Sequence, residues 1–318
     1  MNNKIVITGG RGFIGVNLAT LLYKSRPIVI VDNLERASPT GWEAGNFEFV
    51  QASILDHAAV TAAFQGASAV VHLAAYGSVV ESVTDPIMNF STNVQGTFNV
   101  LNAAITAGIH RVVFASTGGA LIGDAPPPVD EDSLPKPISP YGASKLCGEA
   151  YCHAFAKSRG LDVVCLRFGN VYGPHSAHKK GAVTMFIKAL MCDEPIVIYG
   201  DGSASRDYIH VEDLCSGIQA GLDTPSIGGD VFHLATGRET TILELAHILR
   251  EVAGKPSHTI EFRPARCGEV MRNFARYDKA ARVLGYAPKI SLKEGLTKTY
   301  RWFEDNRDVV LDAVTSDS

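Results

Sequence analysis

Residues 4–15, with the sequence KIVITGGRGFIG, decide the fold class of this chain. A short run of β-branched residues is followed by glycines at positions 9, 12 and 15 and by a helical pattern that continues to Leu22. Gly9, Gly12 and Gly15 allow the backbone to turn tightly, a pyrophosphate to approach the helix N-terminus, and the helix to pack closely on the strand. The stretch therefore predicts a strand, a turn and a helix of a doubly wound α/β domain.

A second predicted strand, residues 27–31, ends next to Asp32. In dinucleotide-binding domains an acidic residue about 20 positions after the glycines bonds the hydroxyls of the adenosine ribose. A carboxylate suits an unmodified 2′-hydroxyl, whereas a 2′-phosphate calls for Arg or Lys. We therefore expect NAD rather than NADP, and the alternative is a doubly wound domain without a cofactor.

Strand and helix patterns keep alternating after Asp32, which predicts a parallel sheet with ligands at the carboxyl ends of its strands. After residue 168 the alternation breaks, which suggests a second, smaller domain. Residues 213–222 and 231–234 return to the first sheet, so we expect the two domains to interleave. The predicted strands are 47–51, 69–73, 111–115 and 163–168, and the predicted helices are 57–64, 86–107, 183–192 and 243–253.

Two predicted strand ends carry candidate site residues. Residues 72–75 (HLAA) are small enough beyond Leu73 for a cofactor to lie against the backbone, although tight packing would explain them equally. Ser116 and Thr117 end the next strand. Hydroxyl residues at such a position serve as caps or turns as well as active-site groups.

Tyr141 and Lys145 stand four residues apart, after Ser139 and Pro140. Proline suits the first position of a helix, and a helix starting there places the phenol and the ammonium on one face. A positive charge within about 4–6 Å of a phenol favours the phenolate, so Lys145 would lower the pKa of Tyr141 and make it a base. The alternative is an ordinary helix start with a half-buried tyrosine and a solvated lysine.

Composition narrows the class of protein. A chain of 318 residues is long enough for about two domains, and the net charge of −4 gives no basis for binding nucleic acid or an anionic membrane. The six cysteines form no CxxC pair, which indicates reduced, buried thiols of a cytosolic protein and no metal site. No apolar run approaches about 18 residues, so no membrane span is predicted. Because residues 1–10 already form a strand and a turn, no signal peptide is expected.

The glycine turn, the acid, the strand-end Ser-Thr and the Tyr-x-x-x-Lys pattern together resemble the extended short-chain dehydrogenase/reductase family. The similarity is greatest to its nucleotide-sugar epimerases of the UDP-glucose 4-epimerase type, and it extends over nearly the whole chain. Three further stretches support it: residues 167–174 (RFGNVYGP), residues 201–211 (DGSASRDYIHV) and residues 266–269 (RCGE).

This resemblance implies a Rossmann-type doubly wound sheet with a smaller, interleaved C-terminal α/β domain. Residues 1–172 and 212–236 would form the NAD-binding domain, and residues 173–211 and 237–318 the nucleotide-sugar-binding domain. The cofactor would contact Gly9, Gly12, Phe13, Ile14, Gly15, Asp32, Asn33, Ser53, Ile54, Leu73, Ala74, Ala75, Tyr141, Lys145 and Phe168.

The resemblance also implies catalytic and substrate-binding roles. Tyr141 is the base, Lys145 lowers its pKa and bonds the nicotinamide ribose, and Thr117 orients the sugar hydroxyl, with Ser116 as a second candidate. Guanidinium groups suit a diphosphate; Arg206 and Arg266 are expected there, and Arg272 is either a further such residue or an ordinary surface arginine. The remaining substrate contacts expected are Thr117, Asn170 at the diphosphate or sugar, Ile198 and Tyr199 beside the uracil, Glu269 at the nucleoside ribose, and Asn273 at the position that selects the sugar.

The expected reaction is NAD-dependent epimerisation at C4 of a nucleotide-diphosphate sugar, such as a UDP-hexose or a UDP-N-acetylhexosamine, through a 4-keto intermediate. Related 4,6-dehydratases carry Asp-Glu after the strand-end Ser/Thr, where this chain has Gly118 and Gly119. Epimerisation is therefore favoured over dehydration. A 4-reductase or a non-catalytic NAD-binding protein would also be compatible with these motifs.

Some features depart from the family pattern or extend it. Ser53 stands where an acid usually bonds the adenine, and Ile122 where a tyrosine is common. Residues 175–180 (HSAHKK) form a basic rim that either is solvated or meets a sugar carboxylate. The resemblance further implies a cytoplasmic homodimer, paired through helices 86–107 and 141–158, in carbohydrate metabolism such as lipopolysaccharide synthesis.

Overall fold

The computed structural model describes residues 3–38, 47–265 and 270–315, so Arg266 and Glu269 lie outside the described residues. None of the helices in these ranges combines the length and apolarity needed to cross a membrane. In chain order the strands are β1 (Ile5–Thr8), β2 (Ile28–Asp32), β3 (Glu48–Gln51), β4 (Ala69–His72), β5 (Arg111–Thr117), β6 (Asp162–Phe168), β7 (Asn170–Tyr172), β8 (Ile196–Tyr199), β9 (Ser205–Arg206), β10 (Tyr208–His210), β11 (Val231–Leu234), β12 (Thr240–Thr241), β13 (Ile260–Arg263) and β14 (Arg272–Asn273).

Helices separate most of these strands, and a π-helical turn, Ser91–Gln95, joins the fourth helix to the fifth. The helices are α1 (Phe13–Leu22), α2 (His57–Ala63), α3 (Val79–Thr84), α4 (Pro86–Phe90), α5 (Gly96–Thr106), α6 (Gly119–Ile122), α7 (Pro140–Arg159), α8 (Ala182–Cys192), α9 (Val211–Asp223), α10 (Ile242–Val252), α11 (Asp278–Leu284), α12 (Leu292–Asp305) and α13 (Arg307–Thr315).

Seven strands form the central sheet, in the order β11-β6-β5-β4-β1-β2-β3. Every neighbouring pair is parallel. Strands β1, β2 and β4 are buried along their whole length because helices cover both faces. The predicted doubly wound parallel sheet is confirmed. Its strand order reverses between β1 and β4, and ligands of such sheets bind outside the carboxyl ends at that point.

The two faces of the sheet carry separate hydrophobic cores. Ile5 and Ile7 of β1 face a core with α1, α9 and α11, whereas Val6 faces a core with α2, α5 and α7. This follows from the period of two in a strand, which sends successive side chains to opposite faces. Strand β11 pairs with β6, so residues 231–234 return to the sheet as the pattern predicts.

A third core lies outside the sheet, among α8, α10 and α12. Its fully buried side chains include Ile187, Leu245 and Phe303. Strands β8 and β13 pair in parallel beside it. We use the name cap for helices α8, α10 and α12 together with strands β8, β9, β12, β13 and β14. The domain boundaries given above stay a prediction.

The predicted helix over residues 86–107 is confirmed, with one departure from α-helical geometry. Asp85 caps it at Pro86, and the backbone stays helical through the π-helical turn that joins α4 to α5. The turn carries Asn93, which is 2% exposed and bonds the backbone of Tyr76 through both of its amide atoms. π-helical turns of this kind occur inside α-helices and are frequent at functional sites. Apolar periodicity cannot reveal such a turn, because one inserted residue leaves the pattern nearly unchanged.

Candidate active site

The glycine turn lies at the carboxyl end of β1, against the end of β4. Gly9 has a φ of 67°, and a Cβ there would come 2.5 Å from the backbone nitrogen of Ala74. Residues 73–75 therefore pack tightly against the turn, which accounts for the small residues there whether or not a cofactor also touches them. Helix α1 has no acidic residue in its first turn, so its N-terminal end stays positive. This end fits the diphosphate of a dinucleotide.

Asp32 ends β2 beside the same turn. Its carboxylate accepts hydrogen bonds from the backbone nitrogens of Arg11 at 2.9 Å and Leu34 at 2.8 Å, and it is 8% exposed. Burial raises the pKa of Asp32, and the two backbone bonds oppose this increase. The acid is thus fixed in orientation, as recognition of a ribose requires.

Ser53 and Ile54, which are predicted to contact the cofactor, each make contacts within the protein. The hydroxyl of Ser53 accepts a bond from the backbone nitrogen of Leu55 at 3.2 Å. Ile54 is 6% exposed and packs so closely against Gly96 that a Cβ there would collide with it. Their roles toward the cofactor stay a prediction.

Thr117 and Ser116, at the end of β5, differ in the hydrogen bonds of their hydroxyl groups. The Ser116 hydroxyl donates to Oε1 of Glu149 at 2.6 Å and is 3% exposed. The Thr117 side chain is partly exposed, and among the described residues its hydroxyl has no hydrogen-bond partner. The structure thus favours Thr117 over Ser116 as the group that orients a substrate hydroxyl.

Helix α7 begins as predicted. Ser139 caps it by accepting a bond from the backbone nitrogen of Gly142 at 3.1 Å, and Pro140 is its first residue. Lys145 is 4% exposed, and its Nζ donates to the carbonyl oxygen of Ala115 at 2.9 Å. The Nζ lies 5.9 Å from the centroid of the Tyr141 ring. Tyr141 and Lys145 therefore meet the end of β5 on one face of the helix.

Burial dominates the pKa of Tyr141 in the protein without cofactor. It raises the pKa of Tyr141 to about 12 and lowers that of Lys145 to about 8, because it disfavours the charged form of each group. The role of Lys145 in lowering the pKa of Tyr141 stays a prediction. The phenol needs a further positive charge to act as a base near neutral pH.

A buried ion pair lies one helical turn beyond Lys145. Arg167 of β6 donates from Nε and Nη2 to Glu149 at 2.9 and 2.8 Å, and the two residues are 4% and 7% exposed. With the bond from Ser116, this pair joins α7 to β5 and β6. Glu149 was not predicted as part of the site. It stands four residues after Lys145, and this spacing places both residues on one face of the helix.

Asn93 holds the start of helix α7 through a chain of hydrogen bonds. Its Nδ2 donates to the Ser144 hydroxyl at 3.0 Å, and that hydroxyl donates to the Tyr141 carbonyl oxygen at 2.8 Å. The role of Asn93 was not predicted. Its neighbours Ser91, Thr92 and Gln95 are polar as well, so the sequence offers no signal that distinguishes it.

The cap brings two predicted substrate residues to the end of β5. Strands β12, β9 and β14 form a small sheet, in which Asn273 pairs with Arg206. The Asn273 amide lies against Gly119, where a Cβ would collide with it. Arg206 is half-buried, and its Nη1 donates to the Ser205 carbonyl oxygen at 2.7 Å. Asn273 thus lies next to the segment that follows Thr117.

Other predicted substrate residues are placed less simply. Arg272 forms a bidentate ion pair with Glu239 at 2.6 and 2.7 Å, so the structure gives it a protein partner. Ile198 is 1% exposed inside the core of the cap, whereas Tyr199 points to the other face of β8 and is half-exposed. The side chain of Tyr199 is therefore the better candidate to lie beside a base. Asn170 is exposed at the start of β7.

Comparison with known proteins explains this arrangement. Residues 5–235 match the model of the NAD dependent epimerase/dehydratase family. This chain belongs to that family. The predicted resemblance is confirmed, and NAD is the cofactor of the protein. The glycine turn, the positive end of α1 and the oriented Asp32 fit that cofactor.

Individual relatives of this family member carry different activities. A UDP-glucose 4-epimerase of Mycolicibacterium smegmatis is 36% identical, over 95% of this chain and 99% of its own. The crystal structure of the Thermotoga maritima UDP-glucose 4-epimerase with UDP-glucose has a TM-score of 0.90 at 34% identity, over 96% of this chain and 99% of its own. A dTDP-glucose 4,6-dehydratase of Streptomyces venezuelae, crystallised with NAD, also has a TM-score of 0.90, at 31% identity, over 96% and 98%. Family membership alone therefore does not select the reaction.

Proposed function

We propose that this protein epimerises C4 of a nucleotide-diphosphate sugar, a UDP-hexose, a UDP-N-acetylhexosamine or a derivative of one. The observation that carries the proposal is the convergence of Thr117, Tyr141 and Lys145 at the end of β5, directly followed by Gly118 and Gly119. Glycines in that place offer no acid or base that could eliminate water from a keto sugar.

Each residue has one task in this proposal. Thr117 bonds the C4 hydroxyl and orients it, and Tyr141 removes its proton and later returns it. NAD, when bound, accepts and returns the hydride of C4, and its oxidised ring adds positive charge beside the phenol. Lys145 supplies a second positive charge and a hydrogen-bond donor, and buried in this site it needs no reorganisation. Rotation of the keto sugar between the two transfers inverts the stereocentre, so the cofactor ends as it began.

The substrate is held by the cap in this proposal. Asn170 and Arg206 bind the diphosphate, Tyr199 lies beside the uracil, and Asn273 borders the sugar at Gly119. Arg266 and Glu269 belong to the same site by resemblance.

Purified protein incubated with UDP-glucose, UDP-galactose, their N-acetyl forms and UDP-glucuronate tests the reaction. The expected outcome is a C4 isomer of at least one of them, detected by NMR, with no net change in absorbance at the reduced-nicotinamide band. A 4-keto-6-deoxy product would instead identify a 4,6-dehydratase, and stoichiometric consumption of NADH a 4-reductase. No conversion of any nucleotide sugar by NAD-loaded protein would favour a non-catalytic NAD-binding role.

We also propose that the protein is a cytoplasmic homodimer paired through α4, α5 and α7. Phe90, Phe98 and Tyr151 are 53%, 42% and 38% exposed, and they line one groove between these helices. Two other apolar residues of α7, Leu146 and Phe155, pack against the cores of the protomer. Light scattering at micromolar concentration should give twice the chain mass, and Phe98→Asp should give the chain mass.

The cellular setting is part of the same proposal. Free thiols at Cys147, Cys152, Cys165, Cys192 and Cys215 are compatible with the reducing cytoplasm, although Cys192 is exposed rather than buried as expected. A supply of nucleotide sugars for polysaccharides or lipopolysaccharide would match this reaction.

A further inference from the structure

Residues 173–180, called the 173–180 loop below, are fixed on the N-terminal end of α1. Asn17 of α1 donates from Nδ2 to the carbonyl oxygen of Pro174 at 3.1 Å. The Ser38 hydroxyl donates to the carbonyl oxygen of His175 at 3.4 Å. Ser176 is 1% exposed and its hydroxyl bonds within the loop. The loop therefore connects the cap directly to the helix end that carries the glycine turn.

Lys179 of this loop has no counterion among the described residues. Its Nζ lies 5.1 Å from the ring centroid of Phe13, the first residue of α1, and donates to the carbonyl oxygen of Val171 at 3.1 Å. Nowhere in the described part of the chain does a carboxylate lie within ion-pair distance of it. An ammonium carries three donors, and a charge removed from water is costly unless an anion compensates it.

The surroundings of Lys179 are positive as well. His178 has a buried Nδ1 that finds no hydrogen-bond partner among the described residues. The charges that act on His178 are those of Lys179, Lys188 and Arg36, and together with burial they lower its pKa to about 4. Arg36 is neutralised by Glu81, but the peptide dipoles of α1 add further positive potential. The region is thus arranged for an anion.

We propose that Lys179, with His178 beside it, binds the diphosphate of NAD against the N-terminal end of α1. The 173–180 loop then holds the cap to the cofactor, because one residue of the cap side bonds a ligand that the sheet domain also binds. This role depends on NAD being the cofactor and is independent of which sugar is converted. The diphosphate of a nucleotide sugar has the same chemistry, so the test must separate the two.

Full-length Lys179→Met protein, freed of NAD and reloaded, tests the proposal by calorimetry. The affinity for NAD should fall about 10- to 100-fold, as expected for the loss of one charge-assisted hydrogen bond. Lys179→Arg should restore most of it. Lys180→Met, which removes the neighbouring exposed charge, should change it by less than about 3-fold. UDP should bind NAD-loaded Lys179→Met as it binds the NAD-loaded wild type.

Three outcomes would overturn the proposal. They are an unchanged NAD affinity in Lys179→Met, an equal loss in Lys180→Met, and a loss of UDP affinity with intact NAD affinity, which would assign Lys179 to the nucleotide sugar. Circular dichroism verifies folding, and Lys179→Gln, which keeps a donor but no charge, replaces the methionine variant if that variant does not fold. Conversion of nucleotide sugars at saturating NAD is measured separately, so failure of the 4-epimerase proposal leaves this test intact.

Discussion

Lys145 and Lys179 are two lysines held inside the protein in different electrostatic surroundings. Burial lowers the pKa of each to about 8. Cys152 and Glu149, both on the helix of Lys145, partly oppose the effect of burial on its pKa, whereas among the described residues no acid opposes it at Lys179. Lys145 thus stands beside a buried acid of its own helix. The charge of Lys179 remains available to the anion proposed above.

The largest effect on turnover should follow from removing the hydroxyl of Tyr141, the proposed base near Lys145. Tyr141→Phe should lower turnover about 10²- to 10⁴-fold, because it removes proton transfer in the transition state. Bound NAD should be retained, since the hydroxyl alone is lost. Turnover is measured by NMR of the sugar product and NAD content after acid release. Tyr23→Phe, at the far end of α1, should behave as the wild type, and near-normal turnover in Tyr141→Phe would refute the assignment.

The contribution of the buried Glu149–Arg167 ion pair to stability can be tested directly at Arg167. Arg167→Met leaves Glu149 buried without a partner and should lower the free energy of unfolding by about 3–5 kcal/mol. Arg272→Met removes an equally bidentate but exposed pair and should lower the free energy of unfolding much less, because water screens an exposed pair. Urea unfolding of both variants gives the comparison. Equal losses would mean that the pair beneath Lys145 contributes no more than a surface pair.

The contact between Gly119, which follows β5, and Asn273 of the cap can also be tested. Gly119→Ala places a methyl group against the Asn273 amide and should raise KM for the sugar about 10-fold, the equivalent of about 1.4 kcal/mol. The value of kcat should change less. Gly181→Ala is the matched control, because a Cβ there meets no atom within 4 Å. A KM equal to that of the control would show that Asn273 does not border the sugar.

The smallest effect concerns the uncompensated charge of Lys179 in NAD-free protein. Its folded-state pKa of about 8 lies below the ordinary value of 10.5, so the unfolded chain binds more protons between these pH values. Its contribution to stability therefore rises with pH from about 8 to 10.5. Lys179→Met should be about 1–2 kcal/mol more stable than wild type at pH 7, and this advantage should vanish by pH 10.5. The measurement is urea unfolding at both pH values, with Lys180→Met as a control that should show no such change. An advantage of equal size at both pH values would contradict the assignment.

Local signals explain why much of the fold and site could be predicted. The glycine spacing before α1, Asp32 at the end of β2, and the Ser139-Pro140 start of α7 each depend on neighbours in the chain. The features that could not be predicted have the opposite origin. The π-helical turn follows from the bonds of Asn93 to a distant loop, and the high pKa of Tyr141 follows from burial, which no spacing of residues reports.

The sequence by itself determined the doubly wound sheet, the glycine turn that fits NAD and the start of helix α7, because these are specified by residues within a few positions of each other. Only the tertiary structure decided that Ser116 bonds the Glu149–Arg167 pair and that Asn273 lies at Gly119. It alone also decided that Lys179 approaches Phe13 with no described carboxylate as its counterion. These contacts join residues far apart in the chain, and their energies depend on which groups share a buried environment. That environment exists only once the cap and the sheet have folded against each other.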